Sequence, residues 1–331
     1  MKSVAIAAAG IGLSLFIGSA AAQSGRSTSS ARDYPNKTIR MIVPFPAGGP
    51  TDVLARAVAL KLNDQMGQPV VIDNRGGASG MIGADIVAKA APDGYTILMG
   101  LVNTQIINSF LYSKVPYDPI RDFAPITKTG AATIMFVAHP SLGVKSIKDF
   151  IAAAKAKPRQ LNFGSPGTGL PHHLAGELLK TMAGIDIIHL PYKGAAPAVA
   201  DLLGAQINTA LVSLPAAYPH VKAGKLVALG VTSRVRSSVA PEVPTFAEQG
   251  LGGYDLENWY GLFAPARTPT AIIAKLNQET VKALTAPDAI ERLNAQGFEV
   301  RTSTPAEFAD YIKAESGKWS AIVKASGAKA E

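Results

Sequence analysis

The sequence predicts an α/β fold of two domains, each a mostly parallel sheet covered by helices. Three observations predict it. Strand-like and helix-like segments alternate along most of the chain, two β-rich stretches interrupt that alternation, and glycine-rich loops recur where strands lead into helices. The elements follow in order. "TIRMIVPF" reads as a strand, and Thr51 to Asn63 carries Val53, Leu54, Ala57, Val58 and Leu62 near helical spacing. "PVVIDNR" and "MIGADIVAKAA" repeat the pair, and "YTILMGL" is a third strand. Asp122 to Ser141, "DFAPITKTGAATIMFVAHPS", is β-rich without a helical period, so it reads as a crossing into a second domain. There the scheme restarts with the helix "SIKDFIAAAKAKP", the strand and loop "LNFGSPGTG", and the helix "PHHLAGELLKTMAG". The strand "IDIIHLPYKG", the helix "APAVADLLGAQ", and the strands "INTALVSL" and "KLVALGVTS" complete it. A second crossing, Tyr254 to Ala266, returns to the helices "PTAIIAKLNQETVKALTAP" and "TPAEFADYIKAESGKWSAIVKASG", so the first domain is discontinuous.

Open α/β sheets bind ligands beyond the carboxyl ends of their strands, where loops and helix N-termini meet. "PFPAGGPTD" lies at such a point. Pro44 and Pro46 stiffen the strand exit, Gly48 and Gly49 bare the backbone N–H groups, and Pro50, Thr51 and Asp52 open a helix whose positive end faces the same place. The loop lacks the lysine and hydroxyl of a phosphate-binding loop and the spacing of a dinucleotide fingerprint, so a carboxylate suits it better than a nucleotide. Asp52 either caps the helix or fixes the loop and its water. "NRGGASGMIGAD" and "FGSPGTGLPHH" are loops of the same kind, entering their helices through Gly76, Gly77 and Ser79, and through Ser165, Gly167, Thr168 and Gly169.

Composition narrows the function classes. Lys2, the apolar run Val4 to Ile17 and Ala20-Ala21-Ala22 form an export signal with cleavage expected after Ala22, which places the protein in a periplasm. The run is about 14 residues, short of the ~20 that span a membrane, so the mature chain is expected not to insert. Gln23 to Asp33 reads as a disordered leader. The chain has no cysteine, which excludes a lipid anchor on cysteine, disulfides, thiolate metal sites and a cysteine nucleophile. The net charge of +8 is spread over helical faces without interleaved aromatics, so no nucleic-acid partner is expected.

"PFPAGGPTD", "VIDNRGGASGMIGADIVAKAAPDGYTIL", "FGSPGTG", "HLAGELLK", "PYKGAAPAVADLLGAQI", "VKAGKLVALGVTS", "PEVPTFAEQGL" and "WYGLFAPARTP" occur in one order between about Tyr34 and Gly327. Together they resemble the Bug (TctC-like) family of periplasmic solute receptors of tripartite tricarboxylate transporters. The resemblance implies a two-lobed periplasmic binding protein fold, type II-like, with lobe 1 at 34–131 and 255–331 and lobe 2 at 132–254. It implies a monomer without cofactor that closes on a small carboxylate, often through ordered water, and delivers it to membrane permease subunits. By position, the ligand contacts it implies are Phe45, Ala47, Gly48, Gly49, Thr51 and Asp52; Asn103, Thr104, Gln105 and Asn108; and Ser165, Gly167, Thr168, Gly169 and Leu170. Tyr192, Lys193 and Gly194 stand nearby.

The departures from the family pattern bear on selectivity. Gln105 follows Thr104 where a histidine is common, Leu170 stands where a hydroxyl residue is usual, and Val212 where an aspartate is common. If Leu170 and Val212 face the cleft, they favour a less polar mono- or dicarboxylate, aromatic acids included, over amino acids and hydroxylated tricarboxylates. A hydrolase using Ser165 with His172 or His173 lacks a G-x-S-x-G elbow, and His172, His173, His189 and Asp201 match no metal-ligand spacing. An extracytoplasmic sensor that presents the liganded lobes to a signalling partner would use the same fold and cleft.

Overall fold

The structure, a computed structural model, describes Met1 and residues 33–328; the expected export signal and nearly all of the leader lie outside the described residues. In chain order, β1 (Ile39–Val43), α1 (Pro50–Met66), β2 (Val70–Asn74), α2 (Met81–Ala88) and β3 (Thr96–Leu101) are followed by a π-helical turn (Asn103–Ile107), α3 (Asn108–Leu111) and β4 (Phe123–Ala132). Then come β5 (Ile134–Ala138), α4 (Ile147–Ala156), β6 (Asn162–Ser165), α5 (Pro171–Ala183), β7 (Ile188–Pro191), α6 (Ala195–Leu203), β8 (Thr209–Ser213), α7 (Leu214–Lys222) and β9 (Val227–Val231). The chain ends through β10 (Asn258–Pro265), α8 (Thr270–Thr285), α9 (Pro287–Ala295), β11 (Phe298–Glu299) and α10 (Pro305–Ser326).

The strands form two sheets, one per lobe, in the orders β11-β4-β10-β3-β1-β2 and β7-β6-β8-β5-β9. β1 runs parallel to β2 and β3, and β6 runs parallel to β7 and β8, so the glycine loops lie beyond carboxyl ends of parallel strands. The β-rich stretch Asp122 to Ser141 is two strands of different sheets, β4 and β5, parted at Thr133. The return crossing places β10 antiparallel between β3 and β4, with every residue buried. Two helical segments escape the periodicity argument. The turn after β3 is too short to show a period, and α7, "LPAAYPHVK", carries Pro215 in its first turn and Pro219 inside, which reads as a loop signal.

α10 joins the two halves. Its start is fixed by a capping box, in which Thr304 and Glu307 exchange hydrogen bonds, and its stop by Gly327 at φ 62°. Phe308, Ile312, Trp319 and Ile322 enter an apolar cluster that also contains Leu98 and Phe263 of the first sheet and Phe136 and Leu211 of the second. Trp259 on β10 is fully buried, edge-on to Phe308 at 5.5 Å. This contact depends on Gly261, because a Cβ there would stand 2.2 Å from Phe308 Cζ and 3.0 Å from the Thr127 carbonyl oxygen. Neither neighbour can yield cheaply, so Gly261→Ala should destabilise the protein by ~1–3 kcal/mol through overpacking. Urea unfolding would show a lower midpoint, and an unchanged midpoint would contradict this packing argument.

Candidate ligand-binding site between the lobes

Three loop systems meet where the lobes face each other. The first is the β1–α1 loop. Asp52, 2 % exposed, is the third residue of α1, and its carboxylate turns back to accept hydrogen bonds from the Gly48 N–H (2.9 Å), Arg56 Nε (2.8 Å) and Asn74 Nδ2 (2.9 Å). Burial pushes the Asp52 carboxyl up, but these donors outweigh it and hold the group below the usual carboxylate range. Asn74 also donates to the Phe45 carbonyl at 3.1 Å, so the end of β2 braces both sides of the loop. Asp52 therefore fixes the loop. Gly48, at φ 81°, supplies a backbone conformation that costs an L side chain strain, and its N–H is already engaged. The N–H groups of Ala47, Gly49 and Thr51 have no protein partner among the described residues and stand at the positive end of α1.

The second system follows β3. The Thr104 hydroxyl donates to the Leu101 carbonyl (3.1 Å) and accepts from the Leu101 N–H (3.2 Å), so it closes its own turn. Its methyl group and the Phe45 ring flank Gly80, where a Cβ would lie 2.8 Å from one and 3.2 Å from the other. Asn108 donates to the Ser79 carbonyl (3.1 Å), joining the β2–α2 loop to this wall. Asn103, fully buried, donates across the lobe boundary to the Gly169 carbonyl at 3.1 Å. Gln105 turns away from these neighbours, because successive residues of a helical turn point in different directions. It lines a separate cavity of 660 Å³ with Tyr112, Tyr117, Asp122 and Ser316. Its side-chain oxygen and nitrogen are buried without a protein partner among the described residues.

The third system belongs to lobe 2. Ser165 Oγ donates to the Gly167 carbonyl (3.1 Å), accepts from the Gly167 N–H (3.3 Å) and lies 2.7 Å from His189 Nε2. The N–H groups of Tyr192 and Gly194 donate to the Ser165 and Pro166 carbonyls at 2.9 Å each, which seats the β7–α6 loop beside the glycine loop. Tyr192 is anchored through its hydroxyl to Asp201 at 2.7 Å; burial and that carboxylate push its pKa up to about 12. Lys193 and Thr168 are exposed, and Leu170 is half-buried against Gly167. The Gly169 N–H is taken by His173 Nδ1 at 3.1 Å. Val212 is fully buried in an apolar cluster with Met135, Val137, Leu202 and Val231, so its side chain belongs to the core. Its expected role in selectivity is corrected: along β8 the side chains alternate between faces, and 212 points into the lobe.

His172, His173 and His189 form no metal group; among the described residues no cluster of three or more potential metal ligands occurs. His172 Nε2 lies 3.1 Å from Ser213 Oγ, and the His173 and His189 rings stack at 4.0 Å. The residues that sequence reasoning passed over are Asn74, Leu111, and the two stacked histidines as loop supports. Asn74 ends a strand before two glycines and was legible as a brace; the histidine stack unites residues 16 positions apart and is not.

Two α/β lobes, joined by two crossings and facing each other through glycine loops at helix N-termini, define a periplasmic-type solute-binding receptor. The sequence model of the tripartite tricarboxylate transporter family receptor, TctC, matches residues 54–328. The protein BugT of Bordetella pertussis is 38 % identical over 301 residues, covering 91 % of this chain and 92 % of its own. An R. palustris protein solved with adipate is 36 % identical with a TM-score of 0.82, covering 89 % and 99 % of the two chains. MatC of Rhodopseudomonas palustris, with bound malate, is 32 % identical with a TM-score of 0.77, covering 88 % and 100 %. The chain belongs to the TctC (Bug) family of periplasmic solute-binding receptors, which are not enzymes. No described helix is long and apolar enough to cross a membrane.

Proposed function

We propose that this receptor captures a small mono- or dicarboxylate between its lobes, after export and removal of residues 1–22, and passes it as a monomer to the permease subunits of a tripartite transporter. The observation that carries the reading is the set of unengaged N–H groups at Ala47, Gly49 and Thr51, at the positive end of α1 in the lobe that Asn103 links to Gly169. Adipate and malate, found with relatives, are carboxylates of the size this reading expects. Phe45, Thr104 and Leu170 supply apolar surface, while Asn103 and Asn108 each keep a side-chain oxygen without a protein partner among the described residues.

Calorimetry with adipate, malate, phthalate, citrate and glutamate tests the reading. Binding of none of the five above ~1 mM affinity would overturn it. Gly49→Val should abolish binding with the unfolding midpoint unchanged, since its Cβ would meet only the Pro46 carbonyl at 3.5 Å while its bulk obstructs the donors. Full affinity in that variant would refute the backbone cradle. Leu170→Ser should shift preference toward hydroxylated acids by roughly tenfold, equivalent to ~1.4 kcal/mol.

A further inference from the structure

Both backbone polar groups of Gly169, which belong to successive peptides, are engaged where lobe 2 meets lobe 1. The carbonyl of Gly169 receives Asn103 Nδ2 from lobe 1, and its N–H is held from behind by His173 Nδ1, both at 3.1 Å. Gly169 is buried at φ 76°, and a Cβ there would stand 2.3 Å from Leu111 Cδ2, so lobe 1 packs directly on this residue. His173 is itself supported. Its ring stacks on His189 at 4.0 Å, His189 stacks on Phe163 at 4.8 Å, and His189 Nε2 meets Ser165, which clasps Gly167. A single aromatic column thus braces the glycine loop at Gly167 and at Gly169, and nothing in the ligand-binding reading uses it.

We propose that His173 is a positioning residue for lobe closure: by accepting the Gly169 N–H, its Nδ1 fixes the peptide that precedes the Gly169 Cα and so sets the orientation of the next peptide, whose carbonyl docks on Asn103. Because Nδ1 accepts, the ring carries its proton on Nε2, which faces Glu177 Oε1 at 3.8 Å. A second proton, placed on Nδ1, would set two donors against each other and release the peptide. The charged and titratable groups around the ring are Glu177 and Lys180 on its own helix and His189 on β7. α10, also packed on α5, brings Glu315 and Lys318, which pair with each other. Burial, reinforced by Lys180, lowers the His173 pKa to about 4, so the ring is a neutral acceptor at pH 7. The sign follows: the contact is complete above about pH 6.5 and weakens as the pH falls toward 4.

The inference rests on the reading that the lobes close, and its test needs no ligand. The chain has no cysteine, so Leu60→Cys on α1 and Lys155→Cys on α4, both exposed, give one spin label per lobe. Inter-lobe distances and amide exchange at Gly169 would be measured with no carboxylate present. Failure of the calorimetric panel would therefore leave this result standing. His173→Ala is expected to lengthen the distances and to speed Gly169 exchange at least tenfold. His173→Asn, whose Oδ1 can accept in place of Nδ1, should restore both and remove the loss of compact population between pH 6.5 and 4. Asn103→Ala should lengthen the distances as His173→Ala does, and the double variant no further. Unchanged distances and exchange in His173→Ala, additive effects in the double variant, or His173→Asn behaving as alanine would each overturn the assignment.

Discussion

Glu257→Ala is expected to destabilise the protein by ~3–5 kcal/mol, the typical result of removing one partner of a buried ion pair. Glu257 precedes β10 at the return crossing. Its carboxylate receives Lys128 Nζ from β4 at 2.6 Å, Arg301 at 2.7 Å and the Tyr311 hydroxyl of α10 at 2.9 Å. The Lys128 and Glu257 side chains are 10 % and 12 % exposed. Burial pushes the Lys128 pKa down and opposes the ionised form of Glu257, yet Lys128 and Arg301 hold the Glu257 carboxyl below its usual range. Alanine would leave Lys128 with a charge and no counterion over the Tyr311 ring. Replacing the pair with Lys128→Met and Glu257→Leu should recover part of the loss, because the Lys128 charge goes while Arg301 keeps Glu299 and only the Tyr311 hydroxyl is left without its acceptor. Urea denaturation of the three variants is the measurement; a double variant no better than Glu257→Ala would show that the pair is not the cause.

Acidification should cost several kcal/mol between pH 6.5 and 4, a large share of a typical ~5–15 kcal/mol total. Burial lowers the pKa of His172 to about 4, of His173 to about 4 and of His189 to about 3, with Lys180 adding to the last two and His173 to the last. Above pH 6.5 all three are neutral whether the chain is folded or not, and stability is insensitive to them. Below it the unfolded chain takes up protons that the folded state refuses, at ~1.4 kcal/mol per unit of depression for each ring. The slope should approach three protons. His172→Gln, which keeps a donor toward Ser213, should remove one of them. A flat stability profile over this range would mean that the rings are hydrated or charged in the folded protein.

The alternation of strand and helix, the two crossings and the glycine loops were legible in the sequence because each rests on local chemistry. Apolar periodicity marked the elements, proline marked helix starts, and glycine marked places where the chain must approach something closely. The expectation of a carboxylate over a nucleotide came from the same loops and from the missing phosphate-binding residues. Tertiary structure decided what these residues touch. It buried Val212 in the core and spent the Gly48 and Gly169 N–H groups on Asp52 and His173. It also split one β-rich run between two sheets at Thr133. The physical reason is common to all of these. Side-chain direction and hydrogen-bond partnership depend on neighbours brought in from distant parts of the chain, and a single residue's type does not specify which neighbour claims its donor or which face its side chain joins.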